Sequence, residues 1–119
     1  MKEIYLKIII IAMLFLGESL AIFAEMTAAK TYSISDKPAL HIFLLMLIVI
    51  LLAEAFLILG YMFGFSTFKN IWVISVASIT SILIMEPILA YTFFNQLPTK
   101  GAVVGFVLGV LGFISAMTY

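Results

Sequence analysis

Three glutamates that lie inside long apolar stretches are the residues best suited to chemistry: Glu18, Glu54 and Glu86. Glu18 is the first candidate because it lies near the middle of an apolar run from about residue 4 to residue 29. A charged group at the centre of a bilayer costs roughly 2.5–3.5 kcal/mol on insertion scales, so such residues usually face a bundle interior or a wet cavity. The position predicts a path for a proton, an ion or a substrate. The alternative is a protonated glutamate that bonds to a neighbouring helix.

A second group of chemically useful side chains lies on one face of the second apolar stretch. Glu54 is followed at helical spacing by Ile58 and Tyr61, so the three side chains are expected to share a face. We predict that the carboxyl of Glu54 and the phenol of Tyr61 line one cavity and bind protons or substrate. The alternative is a hydrogen bond to Glu54, from Tyr61 or the backbone, that only holds helices together.

The third apolar stretch places a glutamate next to a proline. Pro87 has no N–H to donate to the carbonyl of Leu83, so the helix should kink and free backbone groups beside Glu86. We therefore predict that Glu86 takes part in proton or substrate binding and that Pro87 is a hinge. The same stretch carries hydroxyl side chains at three-residue steps, and helix packing is their favoured role: Ser75, Ser78 and Ser81.

The composition identifies the class of protein. Hydrophobic residues make up 66% of the chain, charged residues only 10%, and the mean hydropathy is +1.31, whereas soluble domains have about 25% charged residues. The chain is therefore expected to be an integral membrane protein. Six Lys, no Arg and zero net charge argue against a nucleic-acid partner, because such partners need a basic face. Without Cys and with His41 as the single His, we expect no metal site, no cofactor and no enzymatic activity.

The apolar stretches divide the chain into four helices of about the length that crosses a bilayer. Short links make consecutive helices antiparallel neighbours, so we expect an all-α, compact four-helix bundle that forms one transmembrane domain over residues 1–119. The predicted spans are about 4–29, 39–64, 70–94 and 100–118.

The last helix is expected to mediate assembly, because it repeats glycine on one face. Gly105, Gly109 and Gly112 form a close-packing pattern, and we favour packing between subunits over packing within one. The lysines do not determine an orientation in the membrane, since three would lie on each side. The chain is therefore expected to form an antiparallel or dual-topology dimer, unless the first span decides its orientation.

Several short runs resemble the small multidrug resistance family, within the drug/metabolite transporter superfamily. The best is Phe93–Gln96 followed by Gly105 and Gly112, which resembles the end of the family's third helix, its turn and its glycine-containing fourth helix. Leu16-Gly17-Glu18 resembles the family's Leu-Ala-Glu, and Leu51-Leu52-Ala53-Glu54 is similar to a Leu-Leu-Ala-Gln run in its second helix.

The resemblance implies a proton-coupled exporter in a cell's inner membrane, with Glu18 exchanging protons for a small cationic or polar substrate. It further implies a homodimer, or a heterodimer with a paralogue, joined at Gly105 and Gly112 and surrounded by lipid.

The third helix departs from the family. Its Trp-Ser-Gly-Val-Gly signature is missing, and Glu86-Pro87 resembles the wider superfamily, which includes metabolite exporters and lipid-related four-helix subunits. The alternatives are therefore a non-transporting membrane subunit and a lipid-handling, flippase-like subunit.

Overall fold

The protein is all-helical. A computed structural model describes residues 2–118, without the side chain of Met117, and places four helices in that range: α1 Lys2–Ile34, α2 Ala39–Phe68, α3 Ile71–Phe94 and α4 Lys100–Thr118. The four helices cover the predicted spans, and α1 and α2 continue four to five residues further than expected.

Three of the helices are long and apolar enough to cross a membrane, namely α1, α2 and α3. The apolar part of α4, Lys100–Ala116, is shorter. With 33 residues, α1 is about 50 Å long, and the hydrocarbon layer is about 30 Å thick, so its ends can reach the headgroup region. These dimensions are consistent with a multi-pass membrane protein.

The helix ends follow from local side-chain and backbone chemistry. Lys69 ends α2 in the left-handed conformation (φ 58°), and its N–H donates to the Phe65 carbonyl at 2.9 Å. Asn70 then caps α3 by accepting a hydrogen bond from the N–H of Trp72 at 3.0 Å. Asn95 ends α3 in the same left-handed conformation (φ 52°), which asparagine tolerates better than most residues. The resulting short links keep α2, α3 and α4 antiparallel to their sequence neighbours.

The core lies where α1 meets the two helices that follow it. Ile10 and Leu14 of α1 and Ile74 of α3 are fully buried there. Leu57 and Tyr61 of α2 pack against this cluster from the other side. α1 is therefore the helix around which α2 and α3 are arranged.

Glycines allow α1 and α2 to approach closely. A Cβ atom at Gly60 would lie 2.7 Å from Cδ2 of Leu14, and one at Gly17 would lie 2.8 Å from Cγ of Leu57. Both distances are shorter than real carbon contacts, so a larger residue at either position would displace the leucine side chain that packs on the glycine. Close packing through small residues is typical of membrane helices, and here it lies between α1 and α2.

The position of α4 differs from the expected compact bundle. Of the other described helices, α4 contacts only α3. The structure is therefore a three-helix unit with α4 attached to one side, and it measures 51 × 34 × 19 Å. A Cβ at Gly109 would contact Leu83 of α3 at 3.2 Å, whereas nothing lies within 4 Å of a Cβ at Gly105 or Gly112. The glycine face of α4 is therefore largely uncovered within the described chain.

We expect Gly60→Val to lower the free energy of unfolding in detergent by roughly 2 kcal/mol, because added side-chain volume in a tight contact forces strain. Leu14 is fully buried, so a shift of its side chain would disturb the packing of the core cluster. Gly101→Val is the control, since the nearest atom to a Cβ there is Thr99 Oγ1 at 4.0 Å. Equal losses in the two variants, measured by denaturant titration, would contradict the close α1–α2 contact.

Candidate functional site

Glu18 lies at the interface between α1 and α3. Its Oε1 atom accepts a hydrogen bond from the Oγ atom of Ser78, which is 60 residues away in the sequence. Glu18 is half-buried, and Ser78 is 5% exposed. The structure therefore joins the foremost sequence candidate to a hydroxyl on a neighbouring helix.

The packing of Gly17 explains why Glu18 faces α3. Gly17 is buried against α2, where a Cβ would come within 3.1 Å of the Ala53 carbonyl oxygen and closer still to Leu57. Successive residues of an α-helix are rotated by about 100°, so a helix that turns Gly17 toward α2 turns Glu18 toward a different neighbour. The space beside Gly17 is filled by the side chain of Leu57.

Ser78 differs from Thr80 and Ser81 of α3 in the acceptor to which its hydroxyl donates a hydrogen bond. The Oγ of Ser81 donates to the Ala77 carbonyl at 2.9 Å, and the Oγ1 of Thr80 donates to the Val76 carbonyl at 2.7 Å, so both bond within their own helix. Ser78 alone of these three bonds to another helix. Sequence reasoning assigned it only to packing. The three-residue spacing of the serines indicated that they share one face of α3. It did not indicate which serine contacts which glutamate.

The charge of Glu18 has no counter-charge nearby. Within residues 2–118 the structure contains one ion pair, between Lys7 Nζ and Glu3 Oε1 at 3.4 Å. Glu18 therefore has a neutral hydroxyl as its partner. The structure thus pairs the Glu18 carboxyl with a hydroxyl and not with a cationic side chain.

Another acid lies further along α3, where the side chain of Glu86 is half-buried. The predicted hinge, Pro87, lies inside the continuous helix α3. It also lines a cavity of about 330 Å³ between α3 and the start of α4, together with Tyr91 and Phe106.

Glu54 and Tyr61 lie in a different place from Glu18. Glu54 is exposed and Tyr61 is half-buried. Both line a shallow cavity of about 330 Å³ whose lining residues all belong to α2. The structure thus brings Glu54 and Tyr61 together on one face, as expected from their spacing, and places them apart from the contact of Glu18 with Ser78. Within residues 2–118, no group of three His, Asp or Glu side chains is arranged to hold a metal ion.

Comparison with known proteins found no matching family model, no matching curated protein and no matching solved structure. The resemblance to the small multidrug resistance family therefore remains an expectation based on short residue runs.

We expect Ser78→Ala to lower the free energy of unfolding by about 2 kcal/mol, because it leaves the carboxyl of Glu18 without its donor. Ser81→Ala is a closely matched control, since Ser81 is also 5% exposed and on the same helix but bonds only to its own backbone. Its effect should stay within about 0.5 kcal/mol. Denaturant titration in detergent measures both values, and similar losses would show that the bond to Glu18 contributes little.

Proposed function

We propose that this chain is a proton-coupled membrane transporter in which Glu18 alternately binds a proton and a small cationic or polar substrate. The observation that carries the proposal is the hydrogen bond between Glu18 and Ser78, inside a contact between two membrane-length apolar helices. Ionisable residues at such positions usually mark transport paths. The shortage of other charged groups near Glu18 supports an exchange in which the partner comes from outside the chain.

Ser78 supports both forms of Glu18 that the exchange requires. A serine hydroxyl can donate one hydrogen bond and accept others. When Glu18 is ionised, Ser78 donates to the carboxylate, as in the structure. When Glu18 is protonated, the same hydroxyl can accept the new proton's hydrogen bond. A cation and a proton compete for the Glu18 carboxylate, so binding of the cation releases the proton and binding of the proton releases the cation.

The conformational change that exposes Glu18 to one side of the membrane and then to the other is proposed to involve α3. Pro87 lies nine residues beyond Ser78 on α3 and removes one backbone hydrogen bond of that helix. Such a site allows the two parts of the helix to tilt relative to each other. Glu86 is half-buried and lies next to this point. We therefore propose that Glu86 tunes the movement, while Glu18 carries the exchange.

The functional unit is proposed to be a dimer joined through α4. Within the described chain α4 contacts only α3, and Gly105 and Gly112 are free to be covered. Gly109 has a different role, since it meets Leu83 of its own subunit. A second copy, or a paralogue, would cover this face and enclose a cavity between the two subunits.

The arrangement of the two copies is proposed to be antiparallel, in a cell's inner membrane. The first side of the membrane would receive Lys2, Lys7 and Lys69, and the other side Lys30, Lys37 and Lys100. Because lysine excess in short loops sets orientation, an even distribution permits both orientations.

We expect Glu18→Gln to abolish proton release when a cation binds, because the amide cannot titrate. The measurement adds tetraphenylphosphonium, or the smaller tetramethylammonium, to purified protein in weakly buffered detergent and records pH. Glu25→Gln is the control, since it makes the same change at an exposed position of the same helix. Glu54→Gln should alter affinity but keep proton release.

Two outcomes of this experiment would contradict the proposal. Unchanged proton release in Glu18→Gln, together with its loss in Glu86→Gln, would move the exchange site to α3. Normal cation binding without proton release in the unmodified protein would favour a non-coupled subunit in which Glu18 only holds helices together.

We expect Gly105→Leu and Gly112→Leu to reduce the cross-linked dimer in membranes at least about fivefold, because a branched side chain separates helices that only small residues allow to touch. Val103→Leu is the control and should leave the dimer unchanged, because Val103 is exposed on the side of α4 opposite to the glycines. Full dimerisation of both variants would place the subunit contact elsewhere.

The orientation of the copies can be read from single cysteines, since the chain has none of its own. In an antiparallel α4 pair, a cysteine near the start of one helix meets one near the end of the other. Gly101→Cys should therefore cross-link with Ala116→Cys in mixed samples, whereas each variant alone should not. Cross-linking of each variant with itself would indicate parallel copies.

A further inference from the structure

We propose that a cavity at the ends of α1 and α3 binds a phosphate group, carried by an anionic lipid or free in solution. The cavity has a volume of about 260 Å³. It is lined by Phe23, Thr27, Lys30 and Thr31 of α1 and by Phe93 of α3. Neither Glu18 nor Ser78 contributes to it, so the site is separate from the proposed exchange site.

The hydroxyl of Thr27 is the first observation behind this proposal. Its Oγ1 atom is buried and has no hydrogen-bond partner. Other hydroxyls of the helices bond back to their own backbone, for example Ser19 to the Phe15 carbonyl and Thr92 to the Ile88 carbonyl, both at 2.7 Å. A buried hydroxyl without a partner costs about 1–3 kcal/mol. Thr27 is therefore available to bond a group that enters the cavity.

The residues that line the cavity with Thr27 select a negatively charged group. Lys30 and Thr31 follow Thr27 by three and four residues, so the ammonium and both hydroxyls lie on one side of α1. Lys30 has no carboxylate within ion-pairing distance in residues 2–118. The lining contains no acidic side chain. A phosphate provides oxygens that accept from both hydroxyls and pair with the ammonium.

The aromatic residues of the cavity favour an amphiphile as the carrier of the phosphate. The rings of Phe23 and Phe93 meet edge to face, with centroids 5.5 Å apart. They form an apolar wall on the membrane side of Lys30, which lies in the last turns of α1 near the expected headgroup region. A lipid tail can lie along the two rings while its phosphate reaches Lys30 and Thr31.

The test compares two ligands with the same tails in the purified full-length protein: dioctanoyl-phosphatidic acid and dioctanoylglycerol, which lacks the phosphate. Native mass spectrometry measures binding. We expect phosphatidic acid to bind about tenfold more tightly than dioctanoylglycerol, the effect of one strong charge-assisted contact. Lys30→Gln and Thr27→Val should each remove most of this difference.

Control variants separate a specific site from general effects. Lys100→Gln removes a lysine on the same membrane side that does not line the cavity, and it should change the affinity less than about twofold. Thr27→Val should not lower the thermal midpoint, because the hydroxyl that it removes has no partner. Glu18→Gln should bind phosphatidic acid normally, so failure of the exchange proposal and failure of this one are distinguishable.

The outcomes show whether the cavity binds a phosphate group and whether that group belongs to a lipid or to free phosphate. Displacement of phosphatidic acid by millimolar inorganic phosphate would identify free phosphate as a ligand of the same site, and absence of displacement would identify the lipid. Equal binding of phosphatidic acid and dioctanoylglycerol would overturn the proposal. So would equal effects of Lys30→Gln and Lys100→Gln.

Discussion

Close packing between α1 and α2 sets the arrangement of the other helices. At Gly17 and Gly60 a larger side chain would collide with Leu57 and Leu14 of the facing helix. This contact fixes the rotation of α1 about its axis. The rotation in turn directs Glu18 to α3, where Ser78 donates a hydrogen bond to it. The polar site in the middle of the protein is thus a consequence of apolar packing on the adjacent face of the same helix.

One polar contact lies within the interface of α1 and α3, where the Ser78 hydroxyl donates to the Glu18 carboxyl. Most of the remaining helix surface is apolar and exposed, as expected for surfaces that face lipid or another subunit. Because polar groups are costly to insert in a bilayer, bonding the carboxyl to a hydroxyl inside a helix contact lowers that cost.

The fourth helix lies outside the hydrophobic core. The cluster of Ile10, Leu14 and Ile74 is built by the first three helices without any contribution from α4. Changes on the open face of α4 can therefore leave this core intact. The contact between Leu83 and Gly109 links α4 to the three-helix unit.

The number and type of the helices and their approximate extent could be predicted from the sequence, because these depend on apolar runs and on local residues such as Asn70 and Asn95, which begin and end α3. The sequence also singles out Glu18 through the cost of placing a carboxylate among apolar residues. It could not reveal that Ser78 is the partner of Glu18 or that α4 stays outside the three-helix unit. Those facts depend on the rotation and register of helices distant in sequence, and nearly uniform apolar faces leave both undetermined until the side chains are packed.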